Sequence, residues 1–140
     1  MIIGGHCAVA FTGADECVFD HNTIVRPGKW VFRILQESRD PRFVRCGDNR
    51  ISNNLIVFER AKVRDIANIG PDTRAETFQF AENHWFASDA PDKSIPVLPS
   101  NETGGVHGVD PKLDPVTYQA AGKTTAGLRS ESLTSRLPRR

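Results

Sequence analysis

Four charged residues offer the clearest chemistry in this 140-residue chain: Arg26, Lys29, Arg33 and Glu37. Side chains alternate between the two faces of a strand, so positions 29, 31 and 33 share one face. On that reading Lys29, Val31 and Arg33 point outward while Trp30, Phe32 and Ile34 point inward. A basic outer stripe beside Glu37 suits an acidic sugar chain. The competing reading is a solvated strand face with a Glu–Arg pair contributing about 0–1 kcal/mol. Asp20 and His21 form a second pair. An acid beside an imidazole can move a proton when the side chains meet, but neighbours on a strand point to opposite faces. Trp85, next to His84, would stack on a sugar ring if exposed, yet its spacing aligns it with Ile24 and Ile56, which read as core.

Metal and cofactor chemistry finds little support. Cys7, Cys17 and Cys46 are an odd number, which argues against a closed disulfide framework. One bridge with one free thiol stays open for an exported chain. Otherwise the three are small hydrophobes, Cys7 and Cys17 in strands and Cys46 in a turn. Cys17 and His21 are four apart, a poor separation for a tight metal site on a strand. Asp15, Glu16 and Asp20 are close in sequence but do not resemble a calcium cage of oxygen ligands. No nucleotide loop, nucleophile elbow or two-Cys zinc pair occurs. The expectation is no metal and no cofactor.

Partners are bounded by charge. A net charge of +1 gives no global field for nucleic acid or an anionic membrane. No apolar run reaches the roughly 18 residues of a membrane span. Met1-Ile2-Ile3-Gly4-Gly5-His6 lacks the charged and apolar regions of a signal peptide.

The elements that must position these residues come from a repeat. His21-Asn22-Thr23-Ile24-Val25 returns as Asn53-Asn54-Leu55-Ile56-Val57 and as Glu82-Asn83-His84-Trp85-Phe86. An apolar residue stands three places before each Asn: Phe19, Ile51 and Phe80. The steps between the Asn residues are 32 and 29, a size that marks stacked repeats. Strands are predicted over 7–11, 17–25 with a break at Asn22, 30–35, 50–58, 61–69 and 76–86, with turns at 12–16, 26–28 and 70–72. Residues 63–66 also read as helical. Residues 89–100 form a loop, and 104–113 one last turn and strand.

Short strands, turn signals and a long period predict an all-β right-handed parallel β-helix, a solenoid of about three rounds over residues 1–113. Successive rounds would stack about 4.8 Å apart. Asn22, Asn54 and Asn83 would form a structural ladder, each bonding to the next round and taking the left-handed conformation at a bend. The alternative reading has the three Asn lining a ligand groove. Residues 114–140, rich in Ser, Thr, Ala, Gly and Arg, read as a mobile tail whose Arg136, Arg139 and Arg140 would touch an anionic partner only if it does not simply fray.

Residues 22–25, 29–37 (Lys-Trp-Val-Phe-Arg-Ile-Leu-Gln-Glu), 53–57 and 108–111 (Gly-Val-Asp-Pro) together resemble bacterial right-handed parallel β-helix repeat proteins, relatives of pectate-lyase-like, polysaccharide-active folds. The resemblance covers residues 5–113. It implies more rounds and an N-terminal cap than this chain carries, as for the C-terminal part of a longer β-helix. It also implies an extracellular or periplasmic setting. Lyases of this group neutralise a uronate carboxylate and remove the neighbouring proton, sometimes with calcium, roles that would fall to Lys29 and Arg33. Three functions follow as expectations: a non-catalytic glycan-binding or structural β-helix, a lyase-like enzyme on an acidic polysaccharide, and an assembly module that self-associates through the open solenoid end. The fold alone does not separate them.

Overall fold

The structure, a computed structural model, describes residues 1–128. Its strands in chain order are β1 (Ile2–Ile3), β2 (Cys7–Thr12), β3 (Val18–Asp20), β4 (Thr23–Val25), β5 (Trp30–Leu35), β6 (Arg50–Ser52), β7 (Leu55–Phe58), β8 (Ala67–Ile69), β9 (Gln79–Ala81), β10 (His84–Ala87), β11 (Glu102–Thr103) and β12 (Val106–His107). The chain is all-β; the helical content described is two short 3-10 turns, Ala75–Thr77 and Pro91–Lys93. The strand predicted over 61–69 shortens to β8, because Lys62 and Val63 both turn back to the Glu59 carbonyl. The Arg136, Arg139 and Arg140 of the expected tail lie outside the described residues.

The strands form three sheets, ordered β1-β4-β7-β10-β12, β3-β6-β9-β11 and β2-β5-β8. Each pairing between named strands is parallel. The copies of the repeat lie side by side. Ile24 pairs with Ile56 and Ile56 with Trp85, while Phe19 pairs with Ile51 and Ile51 with Phe80. The steps of the sequence repeat are therefore the register of the sheets. These columns point into one core shared by all three sheets, with Ile24, Phe32, Ile34, Ile51, Ile56 and Trp85 fully buried. Each such side chain contributes about 1.5–3 kcal/mol by leaving water. Phe32 sits at its centre, with aromatic neighbours Phe11, Phe19, Phe80 and Trp85.

Hydrogen bonds join the repeated asparagines. Asn54 Oδ1 accepts the backbone N–H of Asn22 at 2.9 Å and its Nδ2 at 3.3 Å. Asn83 Oδ1 accepts the same two groups of Asn54, each at 3.0 Å. The left-handed residue is not the Asn, as expected from its tolerance of that region, but the residue before it. His21, Asn53 and Glu82 have φ of 52°, 53° and 54°. With the preceding residue turning the chain, each Asn keeps its own side chain aimed along the stack. In the next copy Gly104 takes the positive φ and Gly105 the Asn position, and Glu102 accepts from Asn83 Nδ2 at 2.8 Å instead.

Residues 113–128 pack back on the sheets. Leu113 bridges Ala120, Thr124 Oγ1 meets His84 Nδ1 at 2.9 Å, Gly127 N–H donates to Asn53 O at 2.8 Å and Leu128 N–H to Thr23 Oγ1 at 2.9 Å. Thr23, Leu55 and His84 stand outside the shared core, and residues 123–128 run over them as a strap.

Candidate functional site

The stripe expected on β5 is rearranged by its own backbone. Val31 N–H and Phe32 N–H both donate to Ile66 O, at 3.0 and 2.9 Å. Two consecutive residues thus oppose one, a bulge that turns both side chains inward. Val31, expected outside between Lys29 and Arg33, is fully buried. Trp30, expected inside, is half-exposed. The simple alternation of faces fails at this one step, and the outer face gains an indole.

The result is a platform of different composition. Lys29 Nζ lies 4.4 Å from the Trp30 ring centroid and Arg33 Cζ 5.0 Å from it. His6 meets the same ring edge-on at 5.3 Å. The register that pairs Cys7 with Trp30 places His6 there, and Arg33 lies between Ala10 of β2 and Asn68 of β8, neither of them charged. Sequence reasoning missed His6, since it lies in another strand's approach and carries no local signal.

Neither cation is neutralised. Among the described residues Lys29 and Arg33 take part in no ion pair. Arg33 Nε is buried without a hydrogen-bond partner. Burial pushes the neighbouring Cys7 thiol above its ordinary value, against the lowering effects of a Val9 hydrogen bond and the Arg33 charge. A neutral thiol supplies no counter-charge. Stacking on an indole holds both cations in place at about 0.5–2 kcal/mol each, and the terminal Nη groups of a guanidinium, unlike the buried Nε, can reach carboxylate or sulfate oxygens.

The other residues of the expected stripe lie elsewhere. Arg26 donates to Tyr118 Oη at 2.8 Å and its guanidinium sits 5.7 Å from that ring centroid. Glu37 borders a separate groove with Thr12, Cys17 and Phe43, so it does not counter Arg33.

Asp20 and His21 do meet, contrary to the alternation argument, because the left-handed φ of His21 swings its ring round. His21 Nδ1 lies 2.6 Å from Asp20 Oδ2, and Asp20 Oδ1 accepts from Ser52 Oγ at 2.7 Å and Asn53 Nδ2 at 2.9 Å. Partial burial opposes ionisation of Asp20, but the hydrogen bonds from Asn53, Ser52 and His21 outweigh it and hold the carboxyl at about 2. This cluster joins β3 to β6. His21 Nε2 is buried without a partner, although the side chain as a whole is 31% exposed.

Trp85 is fully buried, and its Nε1 donates to Glu102 Oε2 at 2.9 Å, which leaves no face for a sugar. Cys7, Cys17 and Cys46 are all free, half-buried, exposed and buried in turn. The bridge left open above is not formed, and the exposed Cys17 is no core hydrophobe. Among the described residues no group of three or more His, Cys, Asp or Glu could hold a metal ion, and no helix is long and apolar enough to cross a membrane. No family model, curated protein or solved structure matches the chain.

Proposed function

We propose that this chain is a segment of right-handed parallel β-helix that binds an acidic polysaccharide, without transforming it, through Lys29, Trp30 and Arg33. The solenoid reading is supported by the order of the strands. Each strand's partner in its sheet is in general the third strand on, with one shared core inside and hydrogen-bonded Asn residues at one bend. The observation that carries the binding reading is the pair of cations fixed on one indole with no acid beside them. Two positive charges held on one indole repel; a bound carboxylate or sulfate offsets that cost and takes hydrogen bonds from the guanidinium's terminal Nη groups.

The test is titration of the chain with polygalacturonate and with neutral dextran at low and at moderate salt. Polygalacturonate should bind, more weakly as salt rises, and dextran should not. Lys29→Ala and Arg33→Ala should each weaken binding about tenfold, and Trp30→Ala more than either. Unchanged binding in all three variants overturns the site. Accumulation of unsaturated sugar ends in the same mixture would instead establish a lyase.

A further inference from the structure

Between the strap and the bend before Asn83 lies a cavity of about 600 Å³, within the roughly 300–1,000 Å³ of small-molecule sites. One wall is the bend that carries Glu82, the other is the strap from Lys123 to Ala126, and the paired residues His84 and Val106 also line it. We infer that this cavity binds a short peptide with free ends, its ammonium on Glu82 and its carboxylate on Lys123 and Thr125. The site is separate from the Trp30 platform, which stands on β5 in another sheet.

Both charges of the cavity lack a partner. Among the described residues neither Glu82 nor Lys123 takes part in an ion pair, with each other or with any other group. Opposite charges that line one cavity without touching leave room for a ligand between them. An anion alone would be drawn to Lys123 but repelled by Glu82, and a cation alone would meet the reverse. A molecule with one charge at each end meets neither repulsion.

Both walls are held by groups other than those charges. Glu82 N–H donates to Thr103 O at 2.8 Å, and the Glu82 stem lies against Gly104, where a Cβ would come within 3.3 Å of Glu82 Cγ. On the strap, Thr124 Oγ1 meets His84 Nδ1 at 2.9 Å and accepts Ala126 N–H at 3.1 Å. His84 is buried and its Nε2 lies 2.7 Å from Val109 O, so both ring nitrogens are engaged and the residue fixes the strap. With the Thr124 hydroxyl used in this way, the exposed Thr125 is the strap residue whose hydroxyl can join Lys123 on a carboxylate.

The lining also suits what lies between the two ends. Val106, 42% exposed, and Ala126 give the cavity apolar surface for an aliphatic side chain. A ligand that joins Glu82 to Lys123 links the bend to the strap. Beyond Thr124 the strap is otherwise tied down by Gly127 N–H on Asn53 O and Leu128 N–H on Thr23 Oγ1. Occupancy therefore strengthens the strap's hold and makes its local opening rarer.

The test titrates the full chain with the dipeptide L-alanyl-L-valine and follows it by NMR. The expected result is saturable shifts over residues 123–126 with slower amide exchange at Gly127 and Leu128. Acetylating the peptide removes its ammonium and amidating it removes its carboxylate; each should weaken binding at least tenfold. Glu82→Gln should abolish the preference for the free over the acetylated peptide, and Lys123→Gln the preference for the free over the amidated one. Both positions are exposed, and both variants should keep the parent's circular dichroism. Absence of saturable binding overturns the proposal, as do blocked peptides that bind as well as the free one, or variants that keep the parent's preferences. Displacement of the dipeptide by polygalacturonate would move it to the Trp30 platform and overturn the site as well.

Discussion

The carboxylate of Glu102 occupies the space that a side chain at position 105 would need: a Cβ on Gly105 would lie 2.7 Å from Glu102 Cδ. Gly105 stands where the other copies have Asn, so the glycine is what lets Glu102 reach Asn83 and Trp85. The Glu102 side chain is 6% exposed, and its hydrogen bonds offset the cost of burying it. Gly105→Ala should push the carboxylate aside, orphan Trp85 Nε1 and leave Asn83 Nδ2 with Ile51 O alone. The expected loss is about 1–3 kcal/mol, read as a lower urea midpoint with an unchanged slope.

Asn54 is the central member of the asparagine line and is fully buried. Asn54→Ala leaves the Asn22 backbone N–H without a partner and removes one donor from Phe19 O and one from Asn83 Oδ1, a loss of about 2–3 kcal/mol. Asn54→Asp keeps the shape but replaces the Nδ2 donor with an oxygen facing Phe19 O and Asn83 Oδ1. Asp should therefore be at least as destabilising as Ala in chemical denaturation. Equal stability of the Asp variant and the parent would mean that Asn54 acts through its shape alone.

Much of the scaffold is legible in the sequence because apolar residues recur at the spacing that becomes register. Ile24, Ile56 and Trp85 read as one column from their spacing alone. The left-handed bends are misplaced by one residue on that reading, since the turning position holds three different types, His21, Asn53 and Glu82, and glutamate has weak preference for a positive φ. The face swap at Val31 is illegible, because the bulge depends on Ile66, which is distant in sequence. Asn49 escapes notice for a similar reason. It is fully buried and accepts from Cys17 N–H at 2.9 Å, but no repeated Asn announces it. The strap over residues 123–128 is hidden by a composition that reads as tail.

Stability should fall in acid, partly through Asp20. Its carboxyl is held at about 2 in the folded chain against an ordinary 3.8. A depressed carboxylate stabilises the fold above its ordinary value, and that contribution is lost as pH falls from there through about 2. Because the side chain is 38% exposed, solvent screening reduces the contribution to the order of 1 kcal/mol. Asp20→Asn should lower stability by that amount at neutral pH and flatten the slope between pH 4 and pH 2, followed by thermal unfolding across the range. A parallel pH profile in the variant would assign the acid sensitivity to other carboxylates.

At the indole platform, charge and shape can be separated. Arg33→Lys keeps the cation but loses the planar fork and its stacking on Trp30. Affinity for polygalacturonate should fall about threefold, less than in Arg33→Ala, while its salt dependence changes little. Should Arg33→Lys match the parent, Arg33 would be acting as a point charge.

The strap depends on one small residue. Gly127 has φ 94°, and a Cβ there would lie 2.9 Å from both Leu55 Cβ and Thr23 Oγ1. Those neighbours are β-strand side chains that cannot withdraw without disturbing β4 and β7. Gly127→Ala should therefore lift the strap rather than distort the sheets. Hydrogen exchange would then quicken at the Gly127 and Leu128 amides, which bond Asn53 O and Thr23 Oγ1. His84, buried beneath Thr124, should become accessible to histidine modification, while the core amides of β7 keep their protection. If β7 loses protection in step with the strap, the strap is an integral part of the folding unit.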